Sequence, residues 1–116
     1  FFMLPEANRL KLNNDFKKVF RNGRVSENKL MKIKFLDNWK KHSRFGFIVS
    51  NKFSKKAVVR NLMKRRLRSA VGFLLKNIKL GVDVVIWPKA AFEKADYSTA
   101  LDALKELFIK NDILSI

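Results

Sequence analysis

The longest periodic segment of the chain runs from about Lys55 to Asn77 and follows the helical period, with no Gly or Pro before Gly72. At about 100° per residue its apolar side chains fall in one stripe, which must be buried against another layer of structure. The stripe consists of Val59, Met63, Leu67, Ala70, Val71 and Leu74. The opposite face carries Asn61, Lys64, Arg65 and Arg68, while Arg60 and Arg66 flank the stripe. The sequence therefore predicts a long amphipathic helix with a basic outer face.

A shorter helix is predicted over residues 13–22. Asn13 or Asn14 is a plausible N-cap, and Gly23 is a usual residue for a helix stop. Its apolar side chains lie at i, i+3 and i+4 and so share one face. These side chains are Phe16, Val19 and Phe20, with Lys17, Lys18 and Arg21 around the rest.

Two strands are predicted next, over residues 29–36 and 44–50. Both alternate between two faces with a period of two residues. In the first, Met31, Ile33 and Phe35 face one way, while Lys32 and Lys34 face the other. Residues 37–43 are polar, and we interpret them as a hairpin-like connection that makes the two strands an antiparallel pair.

A further strand at residues 82–88 is rich in β-branched residues and bounded by Gly and Pro, which suits a mostly buried strand. A last helix is predicted over residues 98–110, with Ser98 or Thr99 near its cap. The order helix, two strands, helix, strand, helix indicates a mixed sheet packed with helices. The fold class is thus an α+β or α/β sandwich, formed by residues 1–116 as one domain.

The charge of the chain is very uneven. Of 116 residues 26 are Lys or Arg and 10 are Asp or Glu, which gives a formal net charge of +16. Residues 1–68 carry all of this excess, and residues 51–68 hold eight cations without an acid. These cations are Lys52, Lys55, Lys56, Arg60, Lys64, Arg65, Arg66 and Arg68. A solvated surface would intersperse charges of both signs, so the block favours nucleic acid as the partner.

The chain is poor in groups that enzymes use for catalysis. The absence of Cys excludes disulfides and thiolate zinc sites, and the single His42 lies in a polar, cation-rich stretch typical of a solvated loop. Asp102 and Glu106 are one helical turn apart, but Lys neighbours favour a surface role. We therefore predict no catalytic residue, no metal site and no small-molecule substrate, and expect any enzymatic activity to reside in a partner.

No segment has the length of a membrane span, which requires roughly 18 apolar residues. The stretch from Phe1 to Leu4 is too short for a signal peptide before Pro5 and Glu6. The lack of Cys suits a reducing cytosol. We therefore expect a cytoplasmic protein with no membrane partner, and the role of Phe1 to Pro5 stays open.

Several stretches resemble the bacterial ribonuclease P protein family. RNLMKRRLR at residues 60–68, preceded by SNKFSKKAVV, is similar to the signature helix of that family. RLKLNNDFKKVFRNG at residues 9–23 is similar to its N-terminal segment, and GFIVSNK and VDVVIWP match its later strands. The resemblance covers nearly the whole chain in the right order.

The resemblance implies a subunit that joins a large catalytic RNA, which removes the 5′ leader of precursor tRNA by Mg²⁺-assisted phosphodiester hydrolysis. The chemistry and most of the bound Mg²⁺ would belong to the RNA. Contact with the RNA subunit is implied for Arg60, Asn61, Lys64, Arg65 and Arg68, with Lys52, Lys55 and Lys56 extending that surface. A left-handed crossover around the long helix is also implied, against the right-handed norm.

In the family, a cleft between the first helix and the sheet binds the single-stranded leader. Phe16 and Phe20 occupy the matching positions, and Lys32 or Lys34 would contact phosphates beside them. Unstacked bases stack on aromatic rings with roughly 1–3 kcal/mol per base, in a sequence-tolerant way. The alternative for this Phe pair is burial in the core, the commoner place for such a pair on a short helix.

Two positions depart from the pattern of the family. Leu62 stands where Arg is usual, and Arg66 stands where an apolar residue is usual. Since these positions are i, i+4 neighbours on one helical face, we hypothesise that Arg66 supplies the missing guanidinium and joins the RNA-subunit surface. The family also usually has a Gly that follows a pair of Lys residues before this helix. In this chain Phe53, Ser54 and Lys55 fill that stretch.

Other functions compete with this interpretation. A ribosomal or other structural RNA-binding protein would share the basic block without needing a leader site. A DNA-binding protein would place residues 55–68 in the major groove, although the chain lacks a preceding helix and short turn of the helix-turn-helix kind. A membrane-surface helix is disfavoured because the basic helix has no bulky aromatic residue before Phe73.

Overall fold

A computed structural model describes residues 4–115 of the protein. Phe1–Met3, which begin the N-terminal stretch discussed above, and Ile116 lie outside the described residues. The described chain contains three α-helices and four strands. In chain order these are α1 (Asn13–Asn22), β1 (Arg24–Glu27), β2 (Met31–Asp37), β3 (Arg44–Phe47), α2 (Ala57–Leu74), β4 (Val82–Pro88) and α3 (Tyr97–Lys110). Short 3₁₀ turns occupy Glu6–Asn8, Leu75–Asn77 and Ala90–Lys94.

The four strands form one mixed sheet in the order β1-β2-β4-β3. β1 pairs with β2 and β2 pairs with β4, both antiparallel, whereas β3 and β4 are parallel. In the parallel pair Arg44 stands opposite Asp83, and α2 makes the connection between the two strands. The predicted α+β sandwich with a mixed sheet is therefore confirmed, and the left-handed sense of this crossover stays a prediction.

The antiparallel hairpin predicted across residues 37–43 is wrong. β2 and β3 are separated in the sheet by β4, in which every residue except Trp87 is buried. A strand buried on both faces needs hydrogen-bond partners on both sides, so β4 takes the centre of the sheet and β3 takes an edge. The hairpin instead joins β2 to β1, a strand that the sequence patterns did not reveal. Its turn is held by Asn28, whose Oδ1 accepts from the N–H groups of Leu30 at 2.9 Å and Met31 at 3.0 Å.

The predicted helices are confirmed, and their caps differ from the prediction. The cap position of α1 is Leu12, and no side chain caps this helix. The reason lies upstream, where Leu10 N–H donates to Phe45 O at 2.9 Å and keeps the chain extended along the edge of β3. At α3 the N-cap is Asp96 rather than Ser98 or Thr99. Its carboxylate accepts from the Thr99 N–H at 2.8 Å, and this bond lowers the pKa of Asp96.

The core lies mainly between one face of the sheet and helices α2 and α3. The predicted inward residues of β2 are all buried, and so is the predicted stripe of α2 except for the half-buried Val59. The opposite face of the sheet packs against α1 through a smaller cluster. That cluster consists of Leu10, Val19 and Val85, with Phe16, Leu36, Ile48 and Trp87 packed around it.

A buried charge network holds α1 on the sheet. Arg44 of β3 donates to both carboxylate oxygens of Asp83 in β4, at 2.9 and 2.7 Å, and to Asp15 of α1 at 3.0 Å. The hydrogen bonds to Asp83 raise the pKa of Arg44 above its ordinary value. Because one guanidinium joins three elements, the position of α1 depends on this network.

Candidate nucleic-acid-binding site

The outward face of α2 carries positive charge that no acid neutralises. Asn61 and Arg65 are exposed, while Lys64 and Arg68 are half-buried. Within residues 4–115, no Asp or Glu oxygen lies within 4.0 Å of any of the eight cations of residues 51–68. Elsewhere Lys11, Lys79 and Lys89 each have an acidic partner. The charge of α2 is therefore available to an external polyanion.

The start of α2 adds to this field. Lys56 occupies the cap position, and the first turn of the helix contains no acid. The exposed Lys52 and Lys55 stand in the preceding turn, so they lie close to the positive end of the helix dipole. Side-chain cations at a helix N-terminus are unfavourable without an anion, and backbone N–H groups at this position bind phosphate well.

Two of the flanking arginines have contacts within the protein. Arg60 Nη1 donates to the carbonyl oxygen of Ser54 at 2.9 Å and so orders the loop before α2. Arg66 Nη1 reaches the carbonyl oxygen of Glu93 at 3.3 Å. Leu62, one turn before Arg66, is 41% exposed. Both arginines keep further N–H donors for a partner, since each contact uses one of five.

A groove of about 290 Å³ runs beside the sheet edge. It is lined by β3, residues 9–11, Phe16 of α1, and Lys64 and Arg68 of α2. The family resemblance assigned Phe16 to the leader cleft, and Lys64 and Arg68 to the surface for the RNA subunit. The structure brings them together in the same groove, which thus combines cationic and aromatic walls.

An aromatic cluster continues from Phe16 along α1. The ring centroids of Phe16 and Phe20 are 6.1 Å apart, and that of Trp87 is 5.7 Å from Phe20. Phe20 is 38% exposed and Phe16 is half-buried, so neither lies in the closed core. The buried residue of this helix is Val19. The Phe20 ring is therefore accessible to a ligand, whereas Phe16 packs partly against the smaller core cluster and presents the rest of its ring to the groove.

The two lysines predicted beside these rings have different surroundings. Lys32 Nζ lies 5.3 Å from the ring centroid of Trp87, which places a cation on the aromatic cluster. Lys34 Nζ donates to the carbonyl oxygen of Phe20 at 2.8 Å, near the C-terminal end of α1. A cation is favourable at that end of a helix, so Lys34 also has a structural role.

Trp87 and Gly46 belong to this site, although the sequence patterns did not single them out. Within β4, Trp87 alternates with the core-facing Val84 and Ile86 and therefore lies on the α1 side of the sheet, together with Val85. That alternation was visible in the sequence. The contact of Gly46 with Phe16 was not, because it depends on how α1 is placed over β3.

Groups for metal chemistry do not converge among residues 4–115. His42 is exposed in the loop between β2 and β3, and Asp102 and Glu106 are exposed on α3. In the described part of the chain, no three His, Cys, Asp or Glu side chains lie close enough together to hold a metal ion. None of the helices between residues 4 and 115 is both long and apolar enough to cross a membrane.

Fold and site together define an α+β protein with an outward basic helix beside a cationic and aromatic groove. Comparison with known proteins agrees with this class. Residues 4–112 match the protein family described as Ribonuclease P.

Relatives match over nearly their whole length. The chain is 36% identical over 113 residues to the ribonuclease P protein component of Pseudanabaena sp., covering 97% of each chain. It is 38% identical over 112 residues to that of Synechocystis sp., covering 96% of this chain and 90% of the relative. The solved RNase P protein from Thermotoga maritima has a TM-score of 0.80 and 30% identity, covering 88% of this chain and 96% of that one. The chain belongs to the ribonuclease P protein family.

Proposed function

We propose that this protein is the subunit that binds the catalytic RNA of ribonuclease P and the 5′ leader of precursor tRNA, in the cytoplasm. It would assist the endonucleolytic removal of the leader. The observation that carries this proposal is the meeting of Lys64 and Arg68 of α2 with the Phe16 ring of α1 in one groove, next to the ring of Phe20. A protein that only coated a structured RNA would need the cations and not the open rings.

The RNA subunit would bind the most exposed part of α2. Asn61 and Arg65 face solvent there, and the lysines of the preceding turn extend the same positive surface. Guanidinium groups fork onto phosphate oxygens, and the helix N-terminus offers backbone N–H groups to a phosphate. The absence of acidic partners in the described residues supports this assignment, since an internal salt bridge would compete with the RNA.

The single-stranded leader would lie along the groove. Lys64 and Arg68 belong to the RNA-subunit surface and also line this groove, so they can hold leader phosphates where the two RNA molecules meet. Phe20 and Trp87 can stack the leader bases. Stacking is tolerant of sequence, which suits a protein whose substrates have many different leaders. The placement of Phe16 between the two groups would make the surface continuous.

Phosphodiester hydrolysis would be carried out by the RNA subunit, with Mg²⁺ bound mainly by that RNA. The described side chains include no set of acids that could hold the ion. The protein would supply positive charge where two RNA molecules approach each other. Such charge offsets phosphate repulsion, so the protein should matter most when Mg²⁺ is scarce.

A cleavage assay tests the proposal. Precursor tRNA labelled at its 5′ end is incubated with a bacterial ribonuclease P RNA at low Mg²⁺, with and without the protein. We expect faster leader release with the protein, and less stimulation when the leader is cut back to one nucleotide. Equal rates with and without the protein would favour a structural RNA-binding function such as that of a ribosomal protein.

A further inference from the structure

Trp39 has an unusual position for a large apolar residue. Its side chain is 91% exposed, and its backbone is in the left-handed region with φ of 58°. This conformation is rare for bulky residues because the β-carbon crowds the following carbonyl oxygen. The strained backbone costs folding free energy, and the exposed indole gains no burial energy in return, so this arrangement calls for a functional reason.

The loop around Trp39 is rigidly held. Asn38 Oδ1 accepts from Lys40 N–H at 2.7 Å, and Asn38 Nδ2 donates to His42 O at 3.1 Å and to Asp83 Oδ1 at 2.7 Å. The Asn38 N–H also donates to Gly81 O at 2.7 Å. The Trp39 backbone is thus fixed before any partner arrives, and little entropy is lost on binding there.

The surroundings of the indole are cationic. Lys40 and Lys41 follow it directly and are exposed. The only acid of the loop, Asp37, is already paired with Lys79 at 3.4 Å. In the described part of the chain, Lys40 and Lys41 have no acidic partner. An exposed aromatic ring beside such lysines matches the stacking face and the phosphate of a nucleotide.

This surface is separate from the aromatic cluster of Phe20 and Trp87. The Trp39 loop is bonded to Gly81, before the first residue of β4, whereas Trp87 lies near the other end of that strand. Six residues of extended chain separate those points, or about 20 Å. Leader bases stacked on that cluster would leave the Trp39 loop free.

We infer that Trp39 stacks on an unpaired nucleotide of the RNA subunit, with Lys40 and Lys41 on the adjacent phosphates. The inference rests on the proposed function and adds a second contact point at the C-terminal end of α2, which leads into Lys79 and Gly81. A large folded RNA that holds the N-terminal half of α2 can reach this point, and it offers unpaired loop nucleotides.

The test is the affinity of the full chain for a bacterial ribonuclease P RNA, measured by filter binding. Trp39→Ala should weaken binding by about tenfold, equal to about 1.4 kcal/mol. Trp39→Phe keeps an aromatic ring and should stay within about threefold of the unsubstituted protein. Tyr97→Ala, which removes another exposed ring in the neutral part of the chain, should have no effect.

Trp39→Gly separates stacking from loop geometry. Gly adopts the left-handed conformation without strain, so this variant should have a higher melting temperature than the unsubstituted protein and yet bind the RNA as weakly as Trp39→Ala. If Trp39 had a purely structural role, the melting temperature and the RNA affinity of the Trp39→Gly protein would change in the same direction.

Three results would overturn the inference. One is equal affinity of the Trp39→Ala and Tyr97→Ala proteins, and another is a Trp39→Phe protein as weak as Trp39→Ala. The third is a Trp39→Ala protein that loses affinity for precursor tRNA alone, which would mean that Trp39 contacts the substrate and not the RNA subunit. Failure of the proposed function itself is distinguishable, because then the unsubstituted protein would not bind the RNA subunit or stimulate cleavage.

Discussion

Phe16 lies so close to Gly46 that a β-carbon added to this glycine would be 2.5 Å from Cε1 of the ring. Real β-carbons do not approach other atoms to this distance. Only glycine at this point of β3 lets the ring rest on the backbone, where it forms part of the groove wall. One absent side chain therefore positions an aromatic ring of the candidate leader site.

Gly46→Ala should displace the Phe16 ring. We expect the free energy of unfolding in urea to fall by about 1–3 kcal/mol from overpacking, and precursor tRNA to bind the holoenzyme more weakly. In a Phe16→Ala background the added methyl group has room, so most of the stability loss should disappear. A loss of the same size in both backgrounds would contradict the contact.

Phe20→Ala and Trp87→Ala should each weaken the binding of precursor tRNA to the holoenzyme by about 1–3 kcal/mol, because each removes one stacking ring. Affinity for the RNA subunit alone should change little. The effect should vanish for a tRNA without a leader, which is the internal control. Equal losses of affinity for tRNA with and without a leader would show that these rings do not bind the leader.

The α2 charges can be tested against an equal change in net charge elsewhere. Lys64, Arg65 and Arg68 are replaced by Gln in one protein, and Lys94, Lys105 and Lys110 in another. For the first, we expect the slope of log affinity for the RNA subunit against log salt to decrease by about 2 to 3. The second should keep the original slope, and matching slopes would mean that bulk charge alone attracts the RNA.

Arg66 is expected to replace the arginine missing at position 62. Arg66→Ala should lower affinity for the RNA subunit by about tenfold, the loss of one charge-assisted contact. Leu62→Arg should restore it in the same chain, since the two positions are one turn apart. Arg21→Ala is the control, because it removes an exposed arginine from α1, outside the basic helix. A loss no larger than that of the control would refute the hypothesis.

The Arg44 network should control the stability of the α1 face. Arg44→Met leaves the carboxylate of Asp83 buried without a counterion, and we expect the free energy of unfolding to drop by about 3–5 kcal/mol. Arg44→Lys keeps the charge but loses the two-pronged geometry, so its loss should be intermediate. Hydrogen exchange should show α1 opening first. A change no larger than that for the surface substitution Lys79→Met would mean that the network contributes little.

Local patterns were sufficient for most elements of this fold. The stripe of α2 and the continuous apolar run of β4 are set by side chains close in sequence, so periodicity located both within a few residues. The basic face of α2 followed from the same wheel. The residues of this basic face lie opposite the apolar stripe, so they face away from the core whichever element the stripe packs against.

Strand order could not be read in this way. Residues 37–43 look like a hairpin loop, yet the pairing partner of both flanking strands is β4, more than 30 residues further along. Which strand takes the centre depends on total burial within the finished sheet. No local pattern contains that information, and β1 went unrecognised for the same reason.

The sequence by itself determined which side chains are candidates for contact with RNA: an acid-free set of cations and a pair of phenylalanines on separate segments. Only the tertiary structure decided that Phe16, Lys64 and Arg68 share one groove, that Trp87 completes the aromatic cluster, and that Trp39 stands exposed on a strained backbone. The physical reason is that a site is a set of distances between elements. Those distances follow from how α1 and α2 pack against the sheet, which is a property of the whole core.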